Sequence, residues 1–396
     1  MTNNALPDLA AGFLADPGDL SALPLIDAGA VRNFAAAINA QSAAINDPRK
    51  LVGIVATGGT ISMKLADGVR VPDLDLAGIL QQSGGGLEER FRIVGLDAFR
   101  IDSSQMDYRH VRDLAIALSY VWKECAGQLA GFLVLHGTDT MAYNAAAFSL
   151  LTGQGLPFSV AFTGAQKSVQ EPMSDAPANL QHALFTLEAL HDADMAEIVL
   201  VMGDKAMLAT SAMKVDATRV NAFDAPLHEY VARFDTLQHP VTLAPWLKPR
   251  RRQAYEPTIW AKAQHSHTLV VHSTLGLDPA MVGRQAADDA VRAILLFSYG
   301  AGTVDDAVTG AIMGVAKGRN IPVFVLSPVH AEYKAVYESG AYLLQQGVTP
   351  LYMTLPSALA KIEIALRKYP GNNSAIARFM TENYVGEIPE AIRDRR

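Results

Sequence analysis

Three observations predict an α/β fold of more than one domain. The chain has 396 residues, enough for two or three domains of ordinary size. From residue 51 onward, short apolar runs alternate with longer amphipathic stretches, and after a break the alternation resumes near residue 265. Apolar runs without polar alternation read as strands buried on both faces, which require helices above and below a parallel sheet. The expected architecture is therefore two doubly wound three-layer α/β domains, a larger N-terminal and a smaller C-terminal one, preceded by a short helical N-terminal extension. The boundaries read as 1–50 for the extension, 51–235 for the N-terminal domain, 236–265 for a linker and 266–396 for the C-terminal domain.

In chain order, residues 28–45 are alanine-rich and place Val31, Phe34, Ile38 and Ile45 on one face at helical spacing, with Asp27 positioned to cap the start. A docked helix is expected. Residues 51–56, 131–135, 158–163 and 197–202 have the length and β-branched content of buried strands. Between them, residues 108–124, 140–151 and 176–191 carry helical periodicity. Residues 231–267 hold four prolines and the basic cluster Lys248, Arg250, Arg251 and Arg252, and read as a crossover. Strands at 268–272, 293–298 and 322–327 and helices at 305–317 and 357–368 complete the smaller domain.

Composition removes several functional classes. Half the residues are hydrophobic and 18% charged, which excludes a disordered or fibrous chain. Lys plus Arg number 33 against 40 Asp plus Glu, a net charge of −7 that disfavours nucleic acid or an anionic membrane as the main partner. Cys125 is the single cysteine, so neither an intrachain disulfide nor a multi-thiolate metal site is expected. No basic residue precedes Arg32, as a signal peptide would require, and no apolar run nears the roughly 18 residues of a membrane span. The expected location is the cytoplasm. The histidines are scattered, and His265, His267 and His272 lack an acidic ligand at useful spacing, so no metal and no cofactor are expected.

In open α/β sheets ligands collect beyond the carboxyl ends of the strands. Two sequences stand there: Thr57-Gly58-Gly59-Thr60-Ile61 and His136-Gly137-Thr138-Asp139-Thr140. Each sets a hydroxyl on a tight turn beside flexible backbone, and the second opens a helix whose free N–H groups favour an anion. A Gly-Gly turn after a first strand more often cradles a nucleotide phosphate. Here, however, neither G-x-G-x-x-G nor G-x-x-x-x-G-K-[ST] occurs, and no G-x-S-x-G elbow is present.

TGGTI followed by HGTDT resembles the paired signatures of bacterial-type L-asparaginases and asparaginase-glutaminases. Asp102-Ser103-Ser104-Gln105-Met106, the 163–165 and 174–180 stretches, and Lys214 with residues 221–224 also match that family's pattern, across roughly residues 51–370. The resemblance implies a homodimeric or homotetrameric amidohydrolase that needs no cofactor and acts on a small amino-acid amide. It implies that Thr60 is acylated and that Thr138, Asp139 and Lys214 form a second catalytic cluster. Gly59, Ser103, Ser104, Thr138, Asp139 and Ala165 would bind substrate, the serines holding the α-carboxylate and Asp139 the α-ammonium. A threonine hydroxyl needs a base and an oxyanion site to act as a nucleophile. Lys214, in its neutral form, would serve Thr138, and the 58–60 and 137–138 N–H groups would meet the oxyanion. His136 reads as structural.

The chain departs from the family in three places. The loop over residues 62–72 lacks the tyrosine that relatives carry near Val69 or Arg70, and an arginine cannot accept a proton. Either another residue such as Tyr108 or a tyrosine from a partner subunit substitutes, or Thr60 is activated differently, or the enzyme is slow or prefers another amide. Thr303 stands where relatives have an Asn, and Ser327-Pro328-Val329 stands where relatives with an allosteric asparagine site have a cysteine. Ser211-Ala212-Met213-Lys214 imitates S-x-x-K, but S-D-N and K-T-G are missing. Alternative functions are hydrolysis of L-glutamine or D-asparagine, the asparaginase-like subunit of a tRNA-dependent amidotransferase, a non-catalytic amino-acid sensor, and, more remotely, a nucleotide-binding enzyme.

Overall fold

The computed structural model describes residues 19–43, 47–66, 69–83, 86–125, 128–234, 241–247, 265–329 and 337–389. They fall into two compact units, one up to Leu247 and one from His265 onward. Ile45 and the basic cluster Lys248, Arg250, Arg251 and Arg252 lie outside the described residues.

The first unit runs α1 (Ala28–Ser42), β1 (Lys50–Gly58), β2 (Met63–Ala66), β3 (Val69–Pro72), α2 (Leu76–Ser83), α3 (Leu87–Arg90), β4 (Phe91–Ile101), α4 (Tyr108–Glu124), β5 (Gly131–Leu135), α5 (Met141–Thr152), β6 (Val160–Thr163), α6 (Ala176–Asp192), β7 (Ile198–Met202), β8 (Lys205–Leu208), β9 (Met213–Lys214), β10 (Phe223–Asp224) and β11 (Ala232–Arg233). Its main sheet has the order β11-β8-β7-β6-β5-β1-β4. The strands from β4 through β7 run parallel, while β8 and β11 turn back antiparallel at one edge. All five residues of β5 are buried, as expected for a central parallel strand.

Period-two alternation divides the core between the two faces. Val52, Ile54, Ala56, Leu133 and Leu135 face α2 and α6 through Leu76, Ile79, Leu180, Leu184 and Leu187. On the opposite face Phe162 meets Phe148 of α5 at 5.5 Å, and a Cβ on Gly53 would lie 2.9 Å from the rings of Phe34 and Phe132. Gly53 thus leaves room for α1 to dock flat on the sheet. Asp27 caps α1 through Gly29 and Ala30 N–H, and Val31, Phe34 and Ile38 are buried. Asp113 of α4, fully buried beside Arg112, accepts Leu25 N–H at 2.9 Å and ties down the chain before α1. Leu247, Trp246 and Leu243 fold back onto the same core after β11.

The second unit runs β12 (Thr268–His272), α7 (Pro279–Ala286), β13 (Ala293–Phe297), α8 (Asp306–Arg319), β14 (Val323–Leu326), α9 (Glu338–Gln345), β15 (Thr349–Pro350), α10 (Leu355–Lys368) and α11 (Asn373–Thr381). Its four strands pair in chain order, all parallel. Val271, Ile294, Leu296, Val323 and Val325 pack on α7, α8 and α9. Glu363 of the buried α10 accepts from Ser266 Oγ, His267 N and Thr268 Oγ1 at 2.6–2.9 Å and so fixes the start of β12. Both units are α/β, with parallel-rich sheets covered by helices.

Candidate active site

The site begins where β1 ends. Between Ala56 and Gly58 the register against β4 slips, leaving Gly58 opposite Ile101. Gly58 and Gly59 then adopt φ of 96° and 93°, the left-handed region that a side chain disfavours. A Cβ on Gly59 would lie 2.4 Å from both Cα and N of Gly137, so the turn after β1 meets the turn after β5 backbone to backbone. A Cβ on Gly137 would in turn lie 2.6 Å from Ser103 Oγ. Three segments far apart in sequence thereby converge without intervening side chains, bringing the turns of Thr60 and Thr138 and the Ser103–Ser104 loop together.

Thr60 is half-buried and opens a 3-10 turn, Thr60–Ser62. Ser103 is buried and Ser104 exposed on a second 3-10 turn, Ser103–Gln105. Asp102 caps it by accepting Ser104 N–H at 2.8 Å, and chiefly that backbone bond holds the carboxyl below its ordinary pKa. Thr140 Oγ1 donates to Ser103 O at 2.8 Å, which ties this loop to the start of α5.

Lys214 stands on β9, pairing with Phe223 of β10. Its Nζ lies 2.9 Å from Thr138 Oγ1 and 2.7 Å from Asp139 Oδ1. Thr138 is buried, while the Asp139 side chain is 74% exposed. Among the described residues no hydrogen bond joins Thr60 to this trio. The β9–β10 ladder is held at its far end, where Asp224 accepts from Tyr230 Oη and Lys205 Nζ lies 3.6 Å away. Ser211 donates to Leu208 O at 2.9 Å, and Lys214 is on a strand, so the one-turn helical spacing of S-x-x-K does not arise.

Ala165 is buried in the turn after β6. A Cβ on the preceding Gly164 would lie 2.3 Å from His136 O and 3.4 Å from Thr138 Cγ2. Asp175 accepts Gln166 and Lys167 N–H at about 3 Å, and Asn179 bonds Gly164 O and Gly203 N, both at 2.9 Å. Asp175 and Asn179 therefore shape the turn that carries Ala165.

His136 is fully buried. Its Nδ1 lies 2.7 Å from Gly137 O and its Nε2 2.8 Å from Asn144 Nδ2. Burial pushes its pKa down to about 4, opposed only in part by the bond to Gly137. The imidazole is neutral at neutral pH. Thr140, Asp175 and Asn179 lie in stretches that match the family pattern but carry no individual role in the sequence, and Asn144 lies outside them. The available signal was polar side chains on helical stretches at positions that periodicity turns inward.

β2 and β3 pair antiparallel, Ala66 with Val69 and Leu65 with Arg70. Tyr108 opens α4 directly after the Ser103–Ser104 loop and the cap Asp107. In the second unit, Ser327 Oγ donates to Gly300 O at 2.6 Å and Tyr299 N–H to Thr303 O at 2.9 Å, joining the turns after β13 and β14.

Comparison with known proteins identifies the family. The family model "Asparaginase, N-terminal" matches residues 51–246. An L-asparaginase from Thermococcus kodakarensis is 30% identical over 85% of this chain and 98% of its own length. A component of the glutamyl-tRNA(Gln) amidotransferase from Methanobrevibacter smithii is 25% identical over 87% of this chain and 78% of its own. The solved structure of the thermostable Thermococcus kodakarensis L-asparaginase superposes with a TM-score of 0.73 at 28% identity, covering 85% of this chain and 99% of that one. Fold and relatives agree, and the chain belongs to the asparaginase family.

Proposed function

We propose that the protein hydrolyses the side-chain amide of L-asparagine to L-aspartate and ammonia through a threonine nucleophile. The observation that carries this reading is Lys214 Nζ lying 2.9 Å from Thr138 Oγ1 and 2.7 Å from Asp139, beside the point where the Gly59 and Gly137 backbones meet. Thr60 Oγ attacks the amide carbon, its proton leaves through a neighbouring base, and ammonia departs to give a threonyl ester. Water then cleaves the ester to aspartate and frees Thr60. Backbone N–H groups at the 58–60 and 137–138 turns face the oxyanion, stabilisation whose loss costs about 10²–10³ in kcat in other hydrolases. Thr138, Lys214 and Asp139 pass protons and hold the substrate ammonium, while Ser103 and Ser104 receive the α-carboxylate. Gly59 and Ala165 line the pocket.

No cofactor enters this scheme. We further propose a cytoplasmic homodimer or homotetramer whose ligand is a small zwitterion, not a nucleic acid or a membrane. A lone buried thiol fits a reducing compartment. The test is ammonia release by purified protein from L-asparagine, L-glutamine and D-asparagine. L-Asparagine should be the best substrate, and Thr60→Ala should abolish turnover. Full activity in Thr60→Ala would overturn the nucleophile, and tight L-aspartate binding with no ammonia from any amide would favour a sensor.

A second reading is favoured by the relatives that belong to glutamyl-tRNA(Gln) amidotransferases, which are 25–29% identical. It requires a tRNA-bound partner, and the net charge of −7 opposes direct contact with that polyanion. Stimulation of ammonia release by charged tRNA would support it.

A further inference from the structure

Asn144, 8% exposed, lies on the first turn of α5 four residues after Thr140. Its amide nitrogen meets three acceptors: His136 Nε2 at 2.8 Å, Thr140 Oγ1 at 3.2 Å and Met106 Sδ at 3.4 Å. A carboxamide has two N–H bonds, so one serves His136 and the other is shared by Thr140 and Met106. With Nε2 accepting, the neutral imidazole carries its proton on Nδ1 and donates it to Gly137 O. With Thr140 Oγ1 accepting from Asn144, its own proton is directed to Ser103 O. Two branches therefore leave one amide: Asn144 to His136 to Gly137 O, and Asn144 to Thr140 to Ser103 O.

Peptide planarity carries the first branch to the pocket. Gly137 C=O and Thr138 N–H belong to one trans unit and point in opposite directions. A carbonyl held against the buried imidazole thus aims the Thr138 N–H away from it. The second branch fixes the carbonyl of the loop that bears Ser103 and Ser104. The Met106 contact adds a tether at the far end of that same loop.

We propose that Asn144 is a positioning residue that couples the two halves of the pocket. Through His136 it orients the Gly137–Thr138 peptide that meets the oxyanion, and through Thr140 it sets the carboxylate-binding loop. The assignment rests on the amidohydrolase reading of the site. Each branch controls a different kinetic quantity, because the loop contacts a group that does not change during reaction and the peptide contacts one that gains charge.

The experiment compares Thr140→Val, Thr140→Ser and Asn144→Leu with the wild-type protein, using steady-state kinetics on L-asparagine and L-aspartate titration by calorimetry. Thr140→Val should raise KM and weaken aspartate binding about tenfold with kcat within about twofold, and Thr140→Ser, which keeps the hydroxyl, should restore both. Asn144→Leu should lower kcat about 10–100-fold and also raise KM. Nitrogen-15 NMR of the imidazole should find the His136 proton on Nδ1 in the wild-type protein. A proton on Nε2, or kcat and KM moving in the same ratio in Thr140→Val and Asn144→Leu, would overturn the proposal. If the wild-type protein releases no ammonia, the amidohydrolase reading fails by itself, and the imidazole tautomer with the aspartate titration still decides the role of Asn144.

Discussion

Asp139 is 74% exposed and its partner Lys214 19%, so their ion pair belongs to the class that contributes about 0–1 kcal/mol to stability. In the proposed reaction its value is chemical. Asp139→Ala should leave the melting temperature within a few degrees of wild type while ammonia release falls about 100-fold or more, read by a melt beside a coupled ammonia assay. His136 makes the opposite case. Its pKa near 4 in the fold lies below the ordinary 6.5, so the unfolded chain binds the extra proton first as pH drops. Its contribution is complete above about pH 6.5 and is lost between there and about pH 4, by roughly 3 kcal/mol. Urea melts at pH 7 and pH 4 should show this loss in the wild-type protein and much less of it in His136→Gln. Thr60, Thr138 and Asp139 stood out in the sequence because they sit in contiguous motifs beside glycines, whereas Lys214 was picked out only by its place in the family pattern. Asn144 did not stand out, since one buried amide on an alanine-rich helix has no local signature.

At the scale of elements, strands with uninterrupted apolar runs could be read to within a residue or two, and α4 to its ends. β4 escaped because its burial alternates: Arg92, Asp97 and Arg100 interrupt the apolar positions, as suits an edge strand with one wet face. The β2–β3 pair escaped for a similar reason, having too few residues for a period to emerge. Strand β3 carries Val69 and Arg70, near which the family resemblance leads one to expect a tyrosine, so a tyrosine introduced at either position should change kcat more than KM, measured on L-asparagine. The α1 helix supplies another test. Phe34 is 3% exposed against Gly53, and Cys125 Sγ donates to Ala35 O at 3.7 Å. Phe34→Ala should cost about 3–5 kcal/mol in chemical denaturation. It should also quicken alkylation of Cys125, whose pKa burial pushes up to about 11.

For the whole molecule, the resumption of alternation near residue 265 foretold a second parallel sheet, and four parallel strands stand there. Light scattering on the purified protein tests the proposed homo-oligomer: a mass of twice or four times the chain is expected, and a monomer that is fully active would refute it. The close approach of Gly59 and Gly137, 2.4 Å from where a Cβ would stand, has a consequence for how such a protein can diversify. Where these two turns meet there is no room for a side chain, so a substitution at Gly59 or Gly137 should disrupt the site and not retune it. New amide preferences must therefore arise from segments that border these turns, the β2–β3 pair and the Ser103–Ser104 loop. By the resemblance of its sequence, this chain departs from the family in the first of those places, near Val69 and Arg70.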